Sequence, residues 1–393
     1  MSFKSINPKN GKAIGRAIQS LTRDQIEHTI QASYSKYLEF RDAELLPMRL
    51  EKIGLIRKEL ESKSDSISKL ITEEMGKPIT QSKGEIAKCI NHCLYYEANS
   101  KKFLRPRRVV TEAKKCYVSY QPIGPILTIM PWNFPFWLPF KSCIPQLALG
   151  NTILLKPAPN VGRCAQELGS IMAKAGLEEE FKIFYMNTED SEYAISHPDV
   201  RGVSFTGSTK GGKTIAEFAG RHLKKCVLEL GGSDPFIVLK GADIQQAVEI
   251  GITSRFVCNG QACINAKRFI VHKGIYDEFK TALVDAIRKK VKVGDPEDPT
   301  TTIGPLARVD LYDNLKHQVQ ETLKEGAKLA YGDESFLKKK TNIKDGLYFQ
   351  PLVLEDIPVD SPAFREELFG PVISLYKVSS DEEAVELGIV FYP

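Results

Sequence analysis

Apolar residues recur at helical spacing between residues 21 and 88, where Leu50, Ile53, Ile56 and Leu60 stand among charged neighbours. That pattern predicts helices. The character changes at 107–121: Val109, Val110, Tyr117, Val118 and Tyr120 favour extended backbone, and the segment reads as an extended arm. An alternation then begins. Strands are expected at 126–130, 152–155, 181–186, 202–205 and 226–230, with helices at 136–149 and 161–175 and a third running to about Gly220. Pro139 sits awkwardly near the start of the first of these helices. A second alternation follows: strand 235–239, helix 243–256, strand 268–272, helix 275–291, helix 307–325, a strand at 372–376 and a last helix from about Asp381.

Strands alternating with helices imply an α/β fold with open, mostly parallel sheets, whose ligands sit in loops beyond the carboxyl ends of the strands. The pair Gly231-Gly232 joins two strand-like runs and marks a plausible domain boundary. The chain has 393 residues, 42% hydrophobic and 26% charged, enough to bury a large core. Net charge is +5 with the basic residues dispersed. Lys101-Lys102 and Arg105 to Arg108 therefore read as solvated surface rather than a nucleic-acid patch. The N-terminus lacks the apolar core of a signal peptide, and no apolar run is long enough to span a bilayer. Eight unpatterned cysteines fit reduced thiols in a cytoplasmic setting.

Several motifs compete to carry the chemistry. Residues Gly207 to Thr214 match the phosphate-loop pattern G-x-x-x-x-G-K-[ST] letter for letter, between an expected strand and helix. A triphosphatase also needs an acidic strand end for magnesium, and the best candidate, Leu352 to Asp356, is remote and followed by Pro358. A milder reading is a Gly-rich turn that offers amides to a nucleotide's phosphate. Cys89, His92 and Cys93 could share a helical face, but no second Cys/His pair completes a zinc set, so they read as packing and no metal is expected. Cys263 follows Gly260 in a stretch between helix and strand, where a loop can expose a thiol. Cys258 falls at the end of the preceding helix and reads as packing. Glu229 ends an apolar run, as a buried paired carboxylate or as an acid/base with raised pKa. Asn133, among prolines and aromatics after a strand, is a turn residue or an oxyanion donor.

Pro131-Trp132-Asn133-Phe134-Pro135, Lys156-Pro157, Phe205-Thr206-Gly207-Ser208-Thr209, Glu229-Leu230-Gly231-Gly232, Gly260-Gln261-x-Cys263 and Glu366-Glu367-x-Phe369-Gly370-Pro371 together resemble the aldehyde dehydrogenase superfamily in order and spacing. The resemblance runs from Ile6-Asn7-Pro8 to about Leu387. Glu74-Met75-Gly76-Lys77-Pro78, Ala158-Pro159-Asn160 and Ala266-Lys267-Arg268-Phe269 look most like the bacterial succinate-semialdehyde dehydrogenase branch.

The resemblance implies a Rossmann-like NAD(P)-binding domain over 1–106 and 122–230, an oligomerisation arm at 107–121 and a catalytic domain from 231 to 393. It implies Cys263 as nucleophile, Asn133 and the Cys263 N–H as oxyanion donors, and Glu229 as the base that activates water. Cofactor contacts carried over are Trp132, Lys156, Pro159, Gly207, Ser208, Leu230, Glu367 and Phe369. A glutamate stands in NAD-preferring relatives where this chain has Pro159, so the resemblance allows NADP as well as NAD. Lys210 and Lys213 could assist a 2′-phosphate. For a carboxylate-bearing aldehyde, Lys141 takes the place of an arginine in relatives, and Arg255 is a second candidate. A homodimer or homotetramer is implied. The chain ends in Gly388-Ile-Val-Phe-Tyr-Pro393 where the family continues. That ending implies an incomplete catalytic domain, an arm left as an unpaired edge, and an alternative function as a catalytically impaired fragment that still binds nucleotide.

Overall fold

The computed structural model describes residues 2–390; the last three residues of the apolar ending, 391–393, lie outside them. Among the described residues the chain forms two compact units. The first comprises the N-terminal residues through Ser5, Ile14–Ile71 and Lys83–Leu230; the second comprises Ile6–Ala13, Thr72–Ser82 and the chain from Gly231 onward. The change of unit at Leu230–Gly231 falls at the double glycine. Residues 6–13 and 72–82, expected in the cofactor domain, belong instead to the second unit. Their backbone is tied there: Leu347 N–H donates to the Pro8 carbonyl at 3.0 Å and Ile79 N–H to the Pro296 carbonyl at 2.7 Å.

The first unit opens with β1 (Ser2–Phe3) and β2 (Ile18–Gln19), an antiparallel pair. Helices α1 (Arg23–Phe40), α2 (Leu46–Met75) and α3 (Ile79–Phe103) follow. Thr22 and Gln25 form a capping box at the start of α1. The segment expected to be an extended arm is a short hairpin, β3 (Arg107–Arg108) paired antiparallel with β4 (Tyr117–Val118). Next come β5 (Ile126–Ile129), α4 (Trp137–Leu149), β6 (Ile153–Lys156), α5 (Gly162–Lys174), β7 (Phe181–Ile183), α6 (Ser191–Ser196), β8 (Gly202–Thr206), α7 (Thr209–Arg221) and β9 (Lys225–Glu229). Pro139 fits α4 because it lies in the first turn, where its missing N–H has no intrahelical partner.

All neighbours in this sheet are parallel, in the order β7-β6-β5-β8-β9. Every residue of β5 and β6 is buried, as in a sheet covered on both faces. Its core gathers Leu127, Ile129, Leu154, Val203 and Phe205 with Ile26 and Ile30 of α1. The strand order reverses between β5 and β8, and the loops after these two strands, 130–136 and 207–208, leave the sheet at that switch point.

The second unit contains β10 (Asp234–Val238), α8 (Ile244–Phe256), β11 (Ala266–His272), α9 (Tyr276–Lys290), α10 (Val309–Lys324), β12 (Lys328–Tyr331), β13 (Leu352–Glu355), α11 (Pro362–Arg365), β14 (Val372–Val378) and α12 (Asp381–Ile389). Its sheet runs β10-β11-β14-β13-β12, parallel except for the β12–β13 edge pair. Val238, Phe256, Phe269, Val271, Phe279, Ile373 and Leu375 centre its core. Arg268 holds the end of α12: its guanidinium donates to the carbonyls of Leu387, Gly388 and Val390, each at 2.8 Å.

Candidate functional site

The candidate residues divide between the two units. In the second, Cys263 lies between a 3₁₀ segment, Val257–Gly260, and β11. Cys258, Asn259 and Gly260 have φ of 56°, 59° and 76°, three successive left-handed residues. Cys258 is buried but is not helical, which corrects its expected place in the end of the helix. Such backbone persists where the surroundings over-determine it. Gln81 Oε1 accepts from the Cys258 amide at 2.6 Å. Asn259 Nδ2 donates to the carbonyls of Gly76 and Pro305 at 3.1 and 2.9 Å, and its Oδ1 accepts from Gly304 N–H at 2.8 Å. Gln261 Oε1 accepts from Ala307 N–H at 3.1 Å, and Asn265 Nδ2 donates to the carbonyls of Arg255 and Val257, both at 3.0 Å. The thiol-bearing turn is therefore held on both sides by side-chain amides, of which Asn259, Gln261 and Asn265 are buried and Gln81 half-buried.

Cys263 itself is half-buried. Burial pushes its thiol above the usual range, while Lys267 and the amides of Cys263 and Ile264 pull it down and Glu367 pushes it up. Lys267, at the start of β11, donates to the Cys263 carbonyl at 2.5 Å and lies 3.0 Å from Glu367 Oε1. Burial likewise raises the Glu367 carboxyl, opposed chiefly by Lys267. Phe369, two residues on, is half-buried.

Arg255 does not fit the substrate expectation. It is fully buried, and its guanidinium is spent on backbone carbonyls: Nε on Val372 at 2.7 Å, Nη2 on Leu368 at 2.9 Å and on Gly370. Burial draws it down to about 9, which leaves it cationic at neutral pH. It braces the segment that carries Glu367 and Phe369.

In the first unit, Trp132 and Asn133 are buried in the turn between β5 and α4. The turn is anchored by Glu85, whose Oε1 accepts from the amides of Phe136 and Trp137 at 2.8 and 2.9 Å. A carboxylate there satisfies two orphan donors and complements the helix dipole. One turn along α4, Lys141 forms an ion pair with Glu229 at 3.0 Å, both side chains about half exposed. Glu229 is thus paired but not buried, because β9 is the edge strand of its sheet. Leu230, next to it, packs on α7: a Cβ at Gly212 would lie 2.4 Å from Leu230 Cδ2.

Lys156 ends β6 and is 6% exposed, its ammonium pushed below the usual range by burial and held up by Glu189. With Pro159 it lines a groove of about 370 Å³ that also includes Phe3, Met186, Asn187 and Thr188. Gly207 and Ser208 form the whole connection from β8 to α7, with Ser208 Oγ accepting from Gly211 N–H at 3.2 Å as the helix cap. This disposes of the triphosphatase reading: residues 209–211, which would have to lie in the open loop ahead of Gly212-Lys213-Thr214, are already helical. Lys210 and Lys213 are exposed on the first turns of that helix. Of the residues considered for zinc, Cys89 and Cys93 are buried, burial pushes the Cys93 thiol up to about 12, and His92 packs edge-on against Tyr96 and Trp137.

Asn259 and Glu85 stand in none of the motifs, and Lys267 stands in one, Ala266 to Phe269, without a role expected of it. Lys267 had a visible signal, one of two adjacent charges leading into the apolar stretch Phe269 to Val271; Asn259 and Glu85 act through backbone groups remote in sequence and had none.

Each unit is an α/β fold around a mostly parallel sheet; one carries a capped helix at a strand-order switch, the other a cysteine on a braced turn. The sequence pattern of the aldehyde dehydrogenase family matches residues 1–388, and the chain belongs to that family. It is 38% identical over 386 residues to the succinate semialdehyde dehydrogenase [NAD(P)+] Sad of Escherichia coli, covering 98% of this chain and 81% of that protein. A probable succinate-semialdehyde dehydrogenase [NADP(+)] of Synechocystis is 36% identical over 392 residues, covering 99% and 84%. The crystal structure of succinic semialdehyde dehydrogenase from Streptococcus pyogenes in complex with NADP+ superposes with a TM-score of 0.94 at 32% identity, covering 99% of this chain and 84% of that one.

Proposed function

We propose that the protein oxidises a short aldehyde bearing a carboxylate, succinate semialdehyde, to the acid with NAD or NADP. The observation that carries this reading is the Cys263 turn, a half-buried thiol held on strained backbone by Gln81, Asn259, Gln261 and Asn265. In the proposed mechanism the Cys263 thiolate attacks the aldehyde carbon and a C–S bond forms. Asn133 and the Cys263 N–H receive the charge that develops on oxygen. When bound, a nicotinamide would serve as acceptor for the hydride from the substrate C–H; as that C–H bond breaks and the C=O re-forms, Cys263 is left acylated as a thioester. Glu229 takes a proton from water, the hydroxide adds to the thioester, and the C–S bond breaks to release the carboxylate.

Lys156 and Pro159 are assigned to the adenosine ribose, Gly207 and Ser208 to the pyrophosphate, Trp132 and Leu230 to the walls of that site, and Glu367 and Phe369 to the nicotinamide ribose. The groove beside Lys156, with proline rather than a carboxylate at 159 and Lys210 and Lys213 nearby on α7, suits a 2′-phosphate as well as a free hydroxyl. Lys141 is assigned to the substrate carboxylate. All eight cysteines are free thiols, and no helix among the described residues is long and apolar enough to cross a membrane, which suits a cytoplasmic setting. The exposed hairpin suits self-association as a homodimer or homotetramer.

The test is the absorbance of reduced nicotinamide when the purified protein meets succinate semialdehyde and NAD or NADP. Turnover that disappears in Cys263→Ser is expected. Turnover that survives the substitution would refute the reading.

A further inference from the structure

We propose that Lys267 is a positioning residue for the nucleophile: its ammonium, held between the Cys263 carbonyl and the Glu367 carboxylate, fixes the turn that bears the thiol and sets a positive charge beside it. The proposal rests on the reading of Cys263 as the nucleophile.

Lys267 is 2% exposed and stands second in β11, where Phe269, Ile270 and Val271 are fully buried. A lysine is among the costliest residues to bury, and it is tolerated only when paired and hydrogen-bonded. Here the pairing is specific. One donor goes to the carbonyl of Cys263 itself at 2.5 Å, four residues back, and the counterion is Glu367 at 3.0 Å. A neutral side chain could tie the turn to β11 equally well. The charge is what distinguishes lysine, and in a water-poor site it acts on a neighbouring thiol more strongly than in bulk water.

The charged and polar groups facing this cluster are few. Glu367, from the segment before β14, opposes the lysine's effect on the thiol. Arg255, from α8, reaches the Gly260 carbonyl at 3.4 Å and acts on Lys267 and Glu367. Asp234, from β10, acts on Lys267. The amides of Cys263 and Ile264 favour the thiolate. Among these, Lys267 is the leading influence against the burial that disfavours the thiolate.

The test follows alkylation of Cys263 by iodoacetamide on its own peptide, by mass spectrometry, across pH, in the wild type, K267Q, K267M and K267R. Glutamine keeps a donor for the Cys263 carbonyl and removes the charge; arginine keeps the charge. The pH midpoint is expected to rise in K267Q and K267M, with about a tenfold loss of rate at neutral pH for each unit of rise, and to stay near the wild type in K267R. A folded K267Q with an unchanged midpoint overturns the proposal. Should circular dichroism show K267Q and K267M unfolded, K267R carries the test, and a raised midpoint there overturns it. Aldehyde oxidation that survives complete alkylation of Cys263 would instead remove Cys263 as nucleophile and leave the influence of Lys267 on the thiol standing.

Discussion

At the scale of the residue, the Cys263 turn, proposed to bear the nucleophile, joins two demands, tight backbone and a poised thiol. Gly260 meets the first. Its φ is +76°, and a Cβ there would lie 2.4 Å from the Gly370 carbonyl carbon and oxygen. Gly260→Ala is therefore expected to cost roughly 2 kcal/mol or more, strain and overlap together. At roughly 2–4 °C per kcal/mol for a domain of this size, thermal melting should show Tm falling by at least about 4 °C; an unchanged Tm would mean the turn relaxes freely. The second demand sets a pH dependence. Burial disfavours the Cys263 thiolate, so the thiol's pKa lies above its ordinary value and the thiolate share keeps growing as pH rises past the usual thiol range. The rate of the first turnover, read by rapid mixing, should climb with pH through that range. A plateau already reached at neutral pH would contradict the burial that the structure gives the thiol. The place of Cys263, in a loop between helix and strand just after Gly260, was legible from the sequence. Its supports were not, since Gln81 and Asn259 act on backbone groups of Cys258, Gly76, Gly304 and Pro305 that no local pattern announces.

At the scale of the element, the strand–helix alternation was readable almost throughout, since β5, β6 and β11 carry short apolar stretches (Ile126-Leu127, Ile153 to Leu155, Phe269 to Val271) and α7, α8 and α12 start at Ser208, Asp243 and Ser380, side chains that cap them. What failed was the exposure of β9. Its residues read as an apolar run ending in a glutamate that is either a buried paired carboxylate or an acid/base, yet it lies at the sheet edge and Val227 is 61% exposed. Position within a sheet is a tertiary property that strand composition does not carry. The consequence is chemical, because the edge leaves Glu229 free to meet Lys141 across from α4. An exposed pair of this kind adds at most about 1 kcal/mol to stability, so Lys141→Met should leave the fold intact. Its effect belongs to the substrate: KM for succinate semialdehyde should rise about tenfold or more, as expected for losing a charged hydrogen bond of about 1.5–3 kcal/mol, while KM for an uncharged aldehyde of the same length stays within about twofold. Equal rises for both substrates would remove Lys141 from carboxylate recognition and leave it as the partner of Glu229.

At the scale of the whole molecule, the division at Gly231 was legible from the double glycine, whereas the membership of residues 6–13 and 72–82 was not, because it depends on pairing with chain more than two hundred residues away. The 107–121 segment shows the same limit from the other side. Its β-branched and aromatic residues announced extended backbone, and the chain folds back on itself as a hairpin, with Val109 N–H donating to the Cys116 carbonyl at 3.0 Å. Pairing its own two strands uses only one edge of each. Val110 is 93% exposed, Tyr117 59% and Tyr120 48%, an apolar concentration that a solitary chain in water has no reason to keep. Two strands of two residues are also too little sheet to be stable alone. Both features are accounted for if the free edges pair with another copy of the chain, as the proposed homo-oligomer requires. Light scattering of the purified protein should then give a mass of two or four chains, and V110D combined with Y117K should lower it. Because both side chains are already in solvent, the double variant should keep the Tm of its remaining monomer within about 2 °C, in line with the roughly ±0.5 kcal/mol usual for surface substitutions. A wild type that stays monomeric at micromolar concentration, or a variant that assembles as before, would assign the hairpin's exposed face to something other than self-association.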